Sequence, residues 1–600
     1  MQQHENWFNE FRKSKEYEFL KIRPIAYFCA EFALINNSPL YAGGLGVLAA
    51  DTILEAADQG IPLVAIGMFY EEGYFHHELV NDGTLLKHPP KSAPPDFGFK
   101  PVVDLNKQPV IISIPMQGRQ LKVRAFEKQI KTVRVFLLDT DIDENDPLDR
   151  GINDRLYVGN KETRFKQQIV LGIAGLRLLE ILKIHPSVYH LNEGHSGLLA
   201  FEVANHEMNE YKGKYNDELD RARRHIVFTN HTLLAAGNDT FNNDMVSALL
   251  SDYSAQLQVP VNELIPLGLV KDSSIFSMTI LSMRMASRIN AVSKLHAKKA
   301  EEIWPDHPMI SVTNGIHLDT WDRVGIHNSE LRVENSEMAL IDKYNFDNQN
   351  VINLWTRHQE NKRTLLNIIQ EKTGKVWDEN HLLLGWGRRI VPYKRPLALF
   401  QNKEKLLKLV QDSRRPVRIV LAGSAHESDS EGAGMLNDIR LLLESELGEY
   451  ITYLTDYNIN LAKIMTSGAD VWLNTPIVGF EACGTSGMKA CLNGVLPCTT
   501  KDGWVAEVEL YKIGWILDSN RITDSLMEIL EHNIIPEYYF KNREGIPGAW
   551  LENMKNAREL ILNEFTATRM LKEYFTQMYL PVLTELFETQ LRRDDLSNPQ

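Results

Sequence analysis

Three stretches of the chain carry residue types at spacings that could do chemistry. Arg388-Arg389-Ile390-Val391-Pro392-Tyr393-Lys394-Arg395 follows the apolar run LLLGWG and places four cations in eight positions. Guanidinium forks and a point-charge ammonium at the end of a buried strand suit a phosphate, with a solvated basic turn as the plain alternative. Glu481-Ala-Cys-Gly-Thr-Ser-Gly-Met-Lys489 follows the strand-like DVWLNT and reads as a Gly/Thr/Ser loop opening a helix. Such a loop suits an anion. A lysine desolvated on that first turn has a lowered pKa and can form a Schiff base, although lysines on helix surfaces are common. Gly43-Gly44-Leu45-Gly46 lies between a strand and a helix, where glycines let a ligand approach backbone N–H groups or simply make a tight turn.

Polar residues recur after other strand-like runs: Asn192-Glu193-Gly194-His195, Thr229-Asn230-His231-Thr232 and Thr313-Asn314-Gly315. Each could hydrogen-bond sugar hydroxyls, and each could equally cap a helix; their recurrence at strand ends is the informative part. His76-His77 has no third ligand nearby in sequence and is read as surface, so no metal site is expected.

These residues need strands that stop together. Apolar runs at Ile25–Ala30, Pro62–Tyr70, Val188–Leu191 and His225–Thr229 alternate with helical patterns, including one over Phe165–Leu182. The alternation restarts after Asn314 with Leu382–Trp386, Val417–Ala422, Tyr450–Leu454 and Asp470–Leu473. This predicts an α/β chain of two parallel-sheet blocks covered by helices on both faces. The expected division is 1–315, 316–560 and a helical segment 561–600 that packs back on one of the sheets. Ligands of open α/β sheets bind at the carboxyl ends of strands, so the cleft between the blocks is the expected site.

Composition agrees with an ordinary globular chain: 600 residues, 44% apolar, 24% charged, with 65 basic against 79 acidic residues for a net charge of −14. That balance argues against nucleic acid as a partner. Cys29, Cys483, Cys491 and Cys498 are the only cysteines and show no C-x-x-C spacing, which suits a reducing compartment. The N-terminus has no apolar signal region and no run approaches a membrane span, so a soluble cytoplasmic protein is expected.

In chain order, AEF…GGLG, LNEGH, TNHT, TNGI, GRRIVPYKR, DVWLNTP and EACGTSGMKACLNG resemble the α-glucan (glycogen/maltodextrin) phosphorylases, most closely their shorter bacterial and archaeal branch. The resemblance runs from about Ile25 to Glu509, and its GTSGMK block is the specific part. It implies a GT-B fold of two Rossmann-like domains with a C-terminal helix crossing back. It also implies pyridoxal 5′-phosphate on Lys489, and phosphorolysis of glycogen or maltodextrin by inorganic phosphate to glucose 1-phosphate, with retention. By motif position, Arg389 and Lys394 hold substrate phosphate, while Arg388, Lys394, Tyr457, Gly484 and Thr485 contact the cofactor. Gly43, Gly44, Asn192, Glu193, His231, Asn314, Arg389 and Glu481 fall on the substrate, His231 through its backbone carbonyl. A second copy of the chain is an admissible partner.

Ala33, Val47, Ser424 and Cys483 depart from the family pattern, and they keep a non-catalytic glucan-binding relative in view. Glycogen-synthase-like enzymes carry E-x7-E, but the residue eight after Glu481 is Lys489. The first 24 residues show no recognisable regulatory arm, so no response to AMP or phosphorylation is expected.

Overall fold

The computed structural model describes residues 6–80, 83–234, 237–325, 348–542, 545 and 547–597. Two compact units emerge. An N-terminal unit comprises Asn6–Tyr74, His88–Val312 and the helices from Met570 onward; a C-terminal unit comprises Phe75–Lys87 and Thr313–Arg569. Residues 326–347, assigned from sequence to the second block, lie outside the described residues.

In the N-terminal unit the apolar runs become a mixed sheet. Its order is Ile310–Ser311, Arg288–Ala291, Ile226–Asn230, Val188–Asn192, Ile25–Phe28, Leu63–Met68, Val133–Asp139 and Arg119–Ile130. The strands are parallel as far as Val133–Asp139. Ile25–Phe28, Val188–Asn192 and Ile226–Asn230 are buried along their whole length, as near-continuous apolar runs in a doubly covered sheet must be. Beyond them the expectation of a purely parallel sheet is corrected. Arg119–Ile130 runs antiparallel to Val133–Asp139 and carries Ile111–Met116 and Lys100–Pro101 antiparallel on itself. The reason is local: the turn at Gln117-Gly118, both at positive φ, folds Ile111–Met116 back as a hairpin.

Helix Gly44–Gln59 stops at Gly60, whose left-handed φ of 65° makes the C-cap. The predicted helix over Phe165–Leu182 spans Lys161–Ile181, with a π turn at Val170–Ala174. At the chain's end Ala567–Tyr574, a π turn Phe575–Tyr579 and Leu580–Ser597 form a helical run. Its tyrosines join a buried polar chain on the sheet. His190 Nδ1 lies 2.6 Å from the Tyr579 hydroxyl and Nε2 2.8 Å from Thr229 Oγ1, while Asn290 Nδ2 donates to the Tyr574 hydroxyl at 3.2 Å.

The C-terminal unit is built on a wholly parallel sheet ordered Ile451–Leu454, Val417–Ala422, Leu382–Gly387, Val471–Asn474, Leu496–Thr500, Trp515–Leu517. Leu365, Ile369, Leu383, Val420, Met465 and Trp472 form its core. Lys362 and Asp470 are fully buried as an ion pair, which His358 completes at 2.9 Å from the aspartate.

The His76-His77 pair is not a loose surface feature. It opens the strand His76–Val80, which pairs antiparallel with Gly83–Lys87 and with Ala425–His426. His77 Nε2 reaches the Glu427 carbonyl at 3.1 Å. A hairpin distant in sequence thus joins Ala425–His426 in a separate three-stranded sheet with His76–Val80 at its centre, and no contiguous division of the chain can represent it.

Candidate active site

Each sheet has a point where strand order reverses, and there the loops from two neighbouring strands part to opposite faces and leave a crevice. In the C-terminal sheet it falls between Leu382–Gly387 and Val471–Asn474. The first leads into Arg388–Arg395 and the second into the loop that ends at Lys489. In the N-terminal sheet it falls between Ile25–Phe28 and Val188–Asn192. Those strands lead into Glu31…Gly43-Gly44 and into Glu193, with His231 after the adjoining strand.

At the first crevice Lys394 Nζ lies 3.5 Å and Arg388 Nη1 3.8 Å from Glu481 Oε2, all largely buried. Burial alone would raise the Glu481 carboxyl; Lys394, Arg388 and Arg389 outweigh it and hold it below the usual carboxylate range. Burial, reinforced by Arg388 and Arg389, brings Lys394 down to about 8 against the pull of Glu481. Arg388 Nη2 donates to Ser486 Oγ at 3.0 Å, which also accepts from Trp472 Nε1 at 3.2 Å. The Nε and Nη1 of Arg388 are buried without a hydrogen-bond partner. Arg389 is exposed.

Thr485 stands at the N-cap position of the helix Ser486–Leu492 without a side-chain cap, and Lys489 lies on the last turn of that short helix rather than its first. The Lys489 amine is buried, donates to Thr485 Oγ1 at 2.9 Å and stands 3.9 Å above the Trp321 ring. A Cβ at Gly484 would lie 2.7 Å from Glu481 Oε1 and would have to displace that carboxylate. Tyr457 donates its hydroxyl to the Gly387 carbonyl at 3.0 Å. Asn314 donates to the Cys483 carbonyl at 3.0 Å, and its own Oδ1 is buried without a partner. Ser424 contributes its backbone, accepting from Ile390 N at 2.8 Å. Arg395 is structural: its guanidinium is spent on the carbonyls of Thr475, Pro476 and Ser519.

At the second crevice Asn192, Glu193 and His231 come together. His231 donates its backbone N–H to Glu193 Oε2 at 2.6 Å, and its Nε2 lies 2.6 Å from Asn192 Oδ1. Burial raises the Glu193 carboxyl to about 8, with Asp239 adding to the rise against the His231 N–H. Glu193 itself has φ 74°, an uncommon conformation for a non-glycine residue.

Glu31 Oε2 accepts from Ala42 N at 2.8 Å and Gly43 N at 3.2 Å, so a carboxylate of the protein itself already satisfies part of the glycine turn. Tyr157 donates to the other Glu31 oxygen at 2.5 Å. Gly46 is needed because a Cβ would meet Glu31 Oε2 at 2.9 Å; at Gly43 and Gly44 a Cβ would meet nothing within 4 Å. Glu31, Tyr157, Arg164 and Asp239 are not singled out by the sequence, whereas His195 is. Arg164 pairs with Asp239 at 2.9 Å, and His195 lies 3.9 Å from the same carboxylate. Glu31 was findable as an acid just beyond a buried strand; Tyr157 and Arg164 carry no local signal.

Among the described residues no cluster of His, Cys, Asp or Glu could hold a metal, and no helix is long and apolar enough to cross a membrane. The carbohydrate phosphorylase family model matches residues 154–514. The chain is 35% identical to a maltodextrin phosphorylase of Thermococcus litoralis, over 93% of this chain and 71% of the relative. It is 31% identical to a glycogen phosphorylase of Mycobacterium tuberculosis, over 93% and 71%. A glycogen phosphorylase of Aquifex aeolicus is 32% identical, over 96% of this chain and 88% of the relative. Two α/β units, one on a parallel and one on a mostly parallel sheet, the motif order and these matches agree: the chain belongs to the carbohydrate phosphorylases, glycosyltransferase-type enzymes of the GT-B fold.

Proposed function

We propose that the chain is an α-1,4-glucan phosphorylase that uses pyridoxal 5′-phosphate and releases glucose 1-phosphate with retention. The observation that carries this reading is the group Arg388, Lys394 and Glu481, tied through the Arg388–Ser486 hydrogen bond to the start of the helix that carries the buried amine of Lys489. The residues fit the cofactor: a buried primary amine can take its aldehyde, and the Nε and Nη1 of Arg388, buried and without a hydrogen bond, can take its phosphate. Thr485 and the Gly484 backbone complete that cradle, and Tyr457 packs beside it. Bound there, pyridoxal 5′-phosphate supplies a second phosphate that exchanges a proton with substrate phosphate.

Arg389 and Lys394 bind inorganic phosphate, and their charge stabilises the anion as it approaches the anomeric carbon. A phosphate oxygen forms the new bond to that carbon, the glycosidic bond breaks, and the proton from phosphate passes to the departing oxygen. Glu481 and Asn314 hold hydroxyls of the glucosyl unit. In the N-terminal unit Asn192 and Glu193 fix His231, to whose backbone carbonyl we assign the stabilisation of positive charge on the sugar, and Gly43 and Gly44 are assigned to the glucan. Glycogen and maltodextrin are the proposed glucans, and the cytoplasm is the proposed compartment.

Maltoheptaose and inorganic phosphate should yield glucose 1-phosphate, and borohydride reduction should leave a pyridoxyl adduct on Lys489 by mass spectrometry. Glucosyl transfer from a nucleotide sugar without phosphate, or an active reduced protein unmodified at Lys489, would overturn the reading.

A further inference from the structure

The turn that carries Tyr457 is held from a distant part of the chain. Asp456, the residue before it, is in the left-handed region at φ 60°, a conformation disfavoured for any residue with a Cβ. Its N–H donates to Glu78 Oε1 at 2.8 Å, and its carboxylate pairs with Lys87 and, at 3.4 Å, with Lys372. Glu78 is buried in the middle of the strand His76–Val80, with Lys87 at 3.1 Å and His76 at 3.5 Å. Burial alone would raise its carboxyl, but His76 and Lys87 outweigh it and keep the group ionised, the stronger acceptor. The hairpin is itself docked, through the pairing of His76 and His77 with His426 and Ala425.

From Tyr457 the contacts lead to the site. Its hydroxyl meets the Gly387 carbonyl, and its ring lies 3.0 Å from where a Gly387 Cβ would stand. Gly387 is the last residue before Arg388.

We propose that Glu78 is a positioning residue: by accepting the Asp456 N–H it holds Tyr457 against Gly387 and so fixes the start of the Arg388–Lys394 loop. The inference rests on the cofactor and phosphate roles proposed for that loop. The reasoning is that a left-handed turn at a residue with a Cβ, which Asp tolerates better than most, is held more firmly by an external partner, and Glu78 is a charged acceptor carried by a docked hairpin.

The test uses the full chain, stripped of cofactor and titrated with pyridoxal 5′-phosphate, as wild type, Glu78→Ala and Glu78→Gln. Amide hydrogen exchange is read at Asp456 and Tyr457, with the strands Leu382–Gly387 and Val417–Ala422 as internal reference. In Glu78→Ala, exchange at Asp456 and the cofactor dissociation constant should each rise about tenfold, the equivalent of one charge-assisted hydrogen bond, while the reference strands stay protected. Glu78→Gln keeps a carbonyl oxygen for the Asp456 N–H and should restore most of both. Unchanged exchange and affinity in Glu78→Ala, or equal losses in both variants, would overturn the proposal. Should Glu78→Ala not fold, near-wild-type values in Glu78→Gln support it and a tenfold loss there refutes it. A wild type that binds no pyridoxal 5′-phosphate would refute the proposed function instead, and the exchange measurement would still decide the role of Glu78.

Discussion

Lys394 is caught between opposing influences whose balance sets a measurable pH dependence. Burial comes first and, with Arg388 and Arg389, drives its pKa down; Glu481 pulls it up, and the result is about 8. Below that pH the amine is charged and can hold phosphate; above it the neutral amine cannot. The value of kcat/KM for phosphate, which reports the free enzyme, should therefore fall above about pH 8. Lys394→Arg keeps the charge at any accessible pH and should flatten the alkaline limb, even if its altered fork lowers the maximum. Initial rates from pH 6.5 to 9.5 check this, and an alkaline limb unchanged in Lys394→Arg would assign the titration elsewhere. Much of this cluster was legible in the sequence, because cations directly after a buried strand have few structural reasons to be there. Arg395 shows the limit of that argument. Its charge reads like its neighbours', yet three backbone carbonyls absorb it, and only the path of the folded chain could reveal them.

At the scale of elements, the TNGI motif illustrates a similar ambiguity. In sequence it reads as a sugar-binding strand end, and Asn314 does face the Cys483 carbonyl. Gly315 beside it answers to packing. Ile316 donates to the Phe565 carbonyl at 3.0 Å and accepts from Ala567 at 2.7 Å, while Arg569 caps the carbonyls of Thr313 and Asn314 at 2.7 and 2.9 Å. That pairing brings the Thr566 carbonyl 2.2 Å from where a Gly315 Cβ would stand. Gly315→Ala must therefore push the two backbones apart, and should lower stability by about 1–3 kcal/mol, the range of overpacking. Urea unfolding would measure it, and a loss below about 0.5 kcal/mol would mean the segments separate freely. Sequence periodicity identified the parallel strands because their apolar runs are continuous. It missed the hairpin His76–Val80/Gly83–Lys87, whose short strands form a small sheet with Ala425–His426 and carry no alternating apolar pattern.

For the whole molecule, the distribution of buried imidazoles predicts which unit acid attacks. His190, His195, His225 and His296 all lie in the N-terminal unit, all are buried, and burial lowers them to about 3, 4, 4 and 4 from an ordinary 6.5. A histidine with a lowered folded pKa stays neutral in the native state while its unfolded counterpart takes up a proton. Its share of stability is thus complete above pH 6.5 and is lost as pH falls toward the folded value. Glu193 works in the opposite direction. Raised to about 8, it is already protonated in the folded state, so acidification between 8 and 4.5 favours folding through it. Asp139, Asp154, Glu207 and His206 carry smaller opposing shifts. Between pH 6.5 and 4.5 four imidazoles of comparable shift outweigh one carboxyl, and the unfolded N-terminal unit binds the larger number of protons. In the C-terminal unit burial lowers His381 as well, but that ring is only half-buried. Acid should therefore release the N-terminal sheet first. Amide exchange of Val188–Asn192 and Ile226–Asn230, corrected for intrinsic rates, should rise between pH 6.5 and 5 ahead of Val417–Ala422 and Val471–Asn474. Simultaneous loss in both sheets, or earlier loss in the second, would show that some other group sets the acid limit.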